Sequence, residues 1–204
     1  MRSRVITLMA GTDAELIARL KAGDSRAFDD VYAQFRARIF TFLARLTGQR
    51  ALAEDLLQET FLRLVRFAPR LEPDTRLELW LYRVARNTCR SHYRWAFLDA
   101  ERRVSAARAT DAVQATPFDT TAARELVLRL EAALMQLPLA QRELLVLVAV
   151  ECLPLADVAG LLGLRPDALR QRLSRARKLL AAALARDGVS HALSAHTGMV
   201  NDEP

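Results

Sequence analysis

Residues 153–180 read LPLADVAGLLGLRPDALRQRLSRARKLL. In the first part, Leu155, Val158, Ala159 and Leu162 have the spacing of one apolar helix face. Gly163 stands where a helix end needs a left-handed residue. Pro166 then suits the first turn of a new helix, and Asp167 complements its dipole there. In that helix Leu169, Leu173, Ala176 and Leu180 form an inward stripe. Arg170, Arg172, Arg175, Arg177 and Lys178 cover much of the remaining circumference. Two short helices, a glycine turn and a basic second helix make a helix-turn-helix, the second helix suited to a major groove. The bland alternative is a solvated basic face on a core helix; geometry and charge together favour DNA.

The rest of the chain is consistent with a polyanionic partner. Over 204 residues the net charge is +6, and Lys21 and Lys178 are the only lysines among 30 basic residues. Such a balance points to nucleic acid or an anionic membrane surface. No run approaches the roughly 18–20 apolar residues of a membrane span. The N-terminal MRSRVITLMAG is too short and too charged for a signal peptide, so a cytoplasmic protein without a membrane partner is expected. Cys89 and Cys152 lie too far apart for a metal site or a disulfide framework. Cys89 and His92 share a spacing, but two ligands do not make a zinc site. No Gly-rich phosphate loop, metal cluster or nucleophile motif appears, and His191 and His196 fall in the tail. No cofactor, metal or catalytic residue is expected, and the chain does not read as an enzyme.

Helical periodicity fills two blocks. Residues 13–47 read as two helices broken at Gly23-Asp24, with Asp24 or Ser25 as the second N-cap. Phe28, Val31, Phe35, Ile39, Phe42, Leu43 and Leu46 are its inward residues. A third helix, 51–67, turns Leu52, Leu56, Thr60, Leu64 and Phe67 inward. Pro69 and Pro73 enforce a loop. A fourth helix, about 75–95, buries Leu77, Trp80, Leu81, Val84 and Ala85. Residues 99–120, rich in Ala, Thr, Arg and Asp, read as a flexible linker. Periodicity resumes at 121 and continues through the helix-turn-helix, and 187–204 read as a frayed tail. The fold class is therefore all-α: two small helical domains, 13–98 and 121–186, joined by a flexible linker, with tails at 1–12 and 187–204.

Together, LP..QRELLVL (137–147) and the opening stretch resemble region four of bacterial sigma factors of the extracytoplasmic-function group. AEDLLQETFLRL (53–64) resembles the polymerase-binding helix of the same family's region two, and WLYRVARN (80–87) its promoter-melting helix. The resemblance covers 13–95 and 121–184 in the family's order. It departs from the family at Leu52 and Ser91, where an acid is common, and at Asp167, Ala168 and Gln171, where smaller residues are usual.

That resemblance implies a role for each block. The 51–67 helix would dock on the β′ clamp helices of core RNA polymerase through Glu54, Asp55, Gln58 and Glu59, and the β subunit is a further expected partner. The 76–95 helix would melt and hold the −10 element of promoter DNA. There Arg76, Arg83, Arg86, Asn87 and Arg90 are the contact candidates, and Trp80, Tyr82, Tyr93 and Trp95 supply rings that can stack on unpaired bases. Trp80 is assigned to the core rather than to stacking. The loop 67–75 would hold a flipped base. In the recognition helix Arg165, Arg170 and Gln171 would read the −35 element, Gln suiting adenine and Arg guanine, while Arg175 and Arg177 hold phosphates. An anti-sigma factor is an expected partner. The rival readings are a helix-turn-helix regulator independent of polymerase, and an anti-sigma-binding decoy. Against them stand the acidic and arginine-rich helices of the first block and the retained basic residues of the second.

Overall fold

The computed structural model describes residues 12–102 and 121–197, with side chains described over 12–95 and 125–186. Every regular element among them is helical. The chain divides into two compact units, Met1–Asp111 and Ala112–Pro204.

The first unit contains α1 (Asp13–Lys21), α2 (Ser25–Thr47), α3 (Arg50–Phe67) and α4 (Leu77–Arg102), with one 3₁₀ turn at Ala68–Arg70. Thr12 opens α1 with a capping box: its N–H donates to Glu15 Oε2 at 2.8 Å, and Glu15 N–H returns to its hydroxyl at 3.4 Å. Of the two possible caps for α2 it is Asp24 that accepts, from Arg26 N–H at 2.9 Å. Arg19 holds Asp24 and Asp30 at 2.8 and 2.9 Å, and its hydrogen bond keeps the Asp24 carboxyl below its ordinary value. The core is built on α2: Val31, Phe35, Ile39, Phe42, Leu43 and Leu46 are buried, as their spacing predicts.

In α4 the buried side differs from the predicted one. Leu77, Leu81 and Ala85 are inside, but so are Tyr82, Thr88 and Cys89, while Trp80 and Val84 are only half-buried. The inward face is rotated by about 60° around the helix axis from the expected one. The cause is tertiary: α4 packs on both α2 and α3, and Tyr82 meets Phe42 edge-on, ring centres 5.3 Å apart, with Arg38 over the Tyr82 ring. On α3, Phe67 likewise turns outward whereas Ala53 and Phe61 fill the core.

The loop before α4 is tied from α1. Lys21 donates to the Leu71 carbonyl at 3.0 Å, and the Leu77 N–H donates to Asp13 at 3.1 Å. The carboxylate of α1 thus satisfies one of the otherwise unpaired donors at the start of α4. At its far end α4 continues to Arg102, into the stretch assigned to the linker. Residues 96–102, AFLDAER, contain good helix formers and no breaker.

The second unit contains α5 (Thr121–Met135), α6 (Leu139–Leu145), a π-helical turn at Val146–Val150, α7 (Leu155–Leu162) and α8 (Pro166–Thr197). Gly163 ends α7 at φ 65° and ψ 39°, and Leu164 N–H closes back on the Ala159 carbonyl at 2.9 Å. Leu169, Leu173 and Ala176 are buried, whereas Leu180 is half-buried. Two expectations are corrected. Leu155, as the first residue of a helix only eight long, is 42% exposed, and Leu161 rather than Leu162 fills the core. Helix α8 runs on through Thr197, past the expected fraying at 187, because the Ala-rich segment after Leu180 supports a helix and one glycine does not end it. The expected linker residues 103–120 and the tail residues 1–11 and 198–204 lie outside the described residues.

Candidate nucleic-acid interface

On α8 the inward positions Leu169, Leu173, Ala176 and Ala183 define the core side. At about 100° per residue, Gln171, Ser174 and Lys178 stand most nearly opposite it. Arg170 and Arg177 run along one flank, Arg172 and Arg175 along the other, and all are exposed. Arg165 is exposed immediately before the helix, and its carbonyl receives the Leu169 N–H at 2.9 Å. Arg170 and Arg177, with Ser174 and Lys178, line an open groove against Leu155 and Val148. Arg170 is held by Asp167 at 2.7 Å, with both groups largely exposed. Such a pair is worth at most about 1 kcal/mol, so the guanidinium can exchange it for a base or phosphate. The helix phase adds Ser174 to the outward side and sets Arg172, part of the basic circumference but not among the expected contacts, beside Arg175.

On α4, Arg83, Asn87 and Arg90 are exposed in one row, and Arg94 extends it. Arg76 precedes the helix, its carbonyl accepting the Trp80 N–H at 3.0 Å. Arg86 is half-buried and donates to Asn87 Oδ1 at 3.4 Å. Beside this row opens a pocket of about 320 Å³ lined by Arg63, Arg66, Phe67, Arg70, Trp80, Val84 and Asn87. Its floor is a tilted pair of rings, Phe67 and Trp80, 5.7 Å apart. Trp80 therefore faces a pocket and not the core, a correction to its assignment. Tyr82, fully buried, is the reverse correction: it cannot stack on a base. Arg63 and Arg66 on α3 and Arg70 in the 3₁₀ turn after it, none of them among the expected contacts, join the pocket only through the packing of α3 on α4.

On α3, Glu54, Asp55 and Gln58 are exposed and Glu59 is half-buried. Two of the acids are engaged within the helix: Glu54 with Arg50 at 3.0 Å and Glu59 with Arg63 at 2.7 Å. Asp55 and Gln58 share one stripe with the exposed Leu62 and Val65. Among the described residues no three His, Cys, Asp or Glu gather as metal ligands, and no helix is long and apolar enough to cross a membrane.

Both units match known protein families. Residues 31–96 match the family model of Sigma-70 region 2, and residues 128–180 that of Sigma-70, region 4. The chain is 38% identical over 160 residues to the RNA polymerase sigma factor CarQ of Myxococcus xanthus, covering 77% of this chain and 88% of that protein. It is 34% identical over 172 residues to the ECF RNA polymerase sigma factor SigM of Mycobacterium tuberculosis, covering 83% of each. Among solved structures, CnrH in complex with the cytosolic domain of CnrY matches with a TM-score of 0.64 at 27% identity, over 86% of this chain and 98% of that one. With the acidic α3, the arginine row of α4 and the basic helix-turn-helix each falling inside a matched region, the chain belongs to the extracytoplasmic-function group of RNA polymerase sigma factors, in the sigma-70 family.

Proposed function

We propose that this sigma factor divides promoter recognition between its two units. As a member of its family it binds core RNA polymerase and directs promoter-specific transcription initiation, an initiation factor rather than a catalyst. In our reading the second unit reads the −35 element with Arg165, Arg170 and Gln171, and Arg172, Arg175 and Arg177 hold phosphates on either flank. The first unit takes the −10 element along Arg76, Arg83, Arg86, Asn87 and Arg90. An unpaired base enters the Phe67–Trp80 pocket, where ring stacking contributes roughly 1–3 kcal/mol against an unpairing cost of a few kcal/mol. Asp55 and Gln58, with Glu54 and Glu59, face the β′ clamp helices through charge-assisted hydrogen bonds. The domain boundaries are 13–98 for region two and 121–186 for region four, with the intervening chain as tether. An anti-sigma factor is the further partner, by analogy with the complex in which CnrH was solved.

The observation that carries this reading is the pocket beside the arginine row, where the Phe67–Trp80 ring pair meets Arg63, Arg66, Arg70 and the exposed Asn87 amide between α3 and α4. The test is run-off transcription with purified bacterial core polymerase, this protein and fragments of its own genome. Discrete starts that depend on the protein and share two upstream elements are expected. Core binding without any start would leave a decoy.

A further inference from the structure

Helix α1 carries a charge at each end, and both reach across to the segment before α4. The Thr12–Glu15 capping box serves the start of α1, and the Asp13 carboxylate accepts the Leu77 N–H at 3.1 Å. At the other end the backbone closes on itself, the N–H groups of Ala22, Gly23 and Asp24 each donating to a carbonyl of α1 at 3.1 Å. The Lys21 ammonium there donates to the Leu71 carbonyl at 3.0 Å. Both ties are charge-assisted and partly buried. Leu71 and Leu77 are buried, whereas Glu72, Pro73, Asp74 and Arg76 between them are exposed. Asp13 and Lys21 stand about 12 Å apart along the α1 axis, while the chain from Leu71 to Leu77 could span about 20 Å. The segment is therefore held slack and turns on itself, Thr75 N–H donating to the Glu72 carbonyl at 3.0 Å. It also joins the two walls of the ring pocket: Arg70 directly precedes Leu71, and Trp80 lies in the first turn of α4 after Leu77. Helix α1 packs on the 3₁₀ turn that holds Arg70, and it precedes residue 31, where the match to Sigma-70 region 2 begins.

We infer that Asp13 and Lys21 are positioning residues for promoter recognition: by fixing both ends of the 71–77 segment they set the spacing of the pocket walls, and so which base the pocket accepts. The inference deepens the reading of that pocket as the seat of an unpaired base, and rests on it. Neither residue needs to touch the base. Lys21 acts through the Leu71 carbonyl on Arg70, and Asp13 acts through the Leu77 N–H on the first turn of α4 and Trp80. The packing of α3 on α4 holds the two helices together along their length. Freeing one end of the segment therefore leaves the fold in place and loosens the pocket at its rim. A looser pocket still takes a base but selects less well among bases, because selection depends on fit to the walls. The pull of the arginines on phosphate is indifferent to the base and is unaffected.

The test uses holoenzyme assembled from core polymerase and the full chain, on a promoter identified by run-off and its single-base variants at each −10 and −35 position. Competition binding gives the preference among the four bases at each position. In the wild type, a wrong base at the unpaired −10 position is expected to weaken binding about tenfold or more. Asp13→Ala and Lys21→Met should each shrink that preference about threefold, the scale of one lost hydrogen bond. Preferences at the −35 element and binding to core polymerase should stay as in the wild type. Asp13→Asn, which keeps an acceptor for the Leu77 N–H, should retain most of the preference. A uniform loss of affinity with the preference intact would overturn the inference in favour of a helix that only supports the fold. Unchanged preference in every variant would overturn it in favour of a pocket set by α3 and α4 alone. A wild type without preference at any unpaired position would strike the pocket reading itself, and the inference with it. Because the substitutions leave Leu16, Ile17 and Leu20 of α1 in the core, the melting temperature should stay near that of the wild type, which separates a shifted loop from a lost fold.

Discussion

Cys152 is the one residue other than glycine with a left-handed backbone among the described residues, at φ 54°. It sits in the turn between the π-helical segment and α7, its thiol pointing at the Ala149 and Val150 carbonyls at 3.9 and 3.7 Å. A side chain there costs roughly 1–2 kcal/mol, partly offset because glycine is freer in the unfolded chain. Cys152→Gly is expected to stabilise the protein by roughly 0.5–1 kcal/mol, read as a higher urea midpoint. A lower midpoint would mean that the thiol contacts outweigh the backbone strain. On α8, Arg175 is exposed on the flank away from the Leu155 groove. Arg175→Ala should weaken holoenzyme binding equally across promoter variants and reduce the salt slope by about 1. A change confined to one base position would make Arg175 a base reader. Gln171 stands outward on the same helix, and its replacement should act at one position of the −35 element.

Arg142 organises the junction of α5 and α6. It is buried, and its guanidinium donates to the carbonyls of Leu134, Met135 and Leu137 at 3.0, 2.8 and 3.0 Å. Leu134 and Met135 lie in the last turn of α5, where carbonyls run short of helical partners, and α5 has no basic residue of its own there; Leu137 follows the helix. Three carbonyls fanned around one point suit a planar fork and not a single ammonium. Arg142→Met should therefore destabilise the second unit by about 3 kcal/mol, with Arg142→Lys recovering only part of it, as denaturant unfolding of the full chain would report. Equal stability of the Met variant would show that water replaces the guanidinium. The same junction sets the recognition helix, because α6 and α7 both pack on α8. Loosening it is expected to weaken binding to the −35 element before the unit unfolds.

For the whole molecule, the linker expected between the two units bears on how they would cooperate. On the reading of 99–120 as a linker, about 20 residues would reach roughly 25 Å as a coil and at most about 70 Å extended, against roughly 70 Å for two turns of duplex. On that reading both elements would be in reach only near the limit of extension, and polymerase would set the geometry that makes the second contact effectively intramolecular. The isolated chain is expected to bind promoter DNA weakly and without sequence preference in a gel shift; tight specific binding without core enzyme would sink this account. Helix spacing, the Gly163 turn and the charge of α8 follow from local chemistry, so the sequence by itself determined an all-helical chain, a helix-turn-helix and the arginine row of α4. A period of 3.6 says which residues share a side, but not which side a neighbour covers or where that neighbour ends. Only the packing of α2 and α3 against α4 put Tyr82 inside and turned Trp80 and Phe67 toward a pocket. Likewise, only the meeting of α5 with α6 gave a buried arginine three carbonyls to serve, since the cost of burying its charge falls when those acceptors converge on it in space.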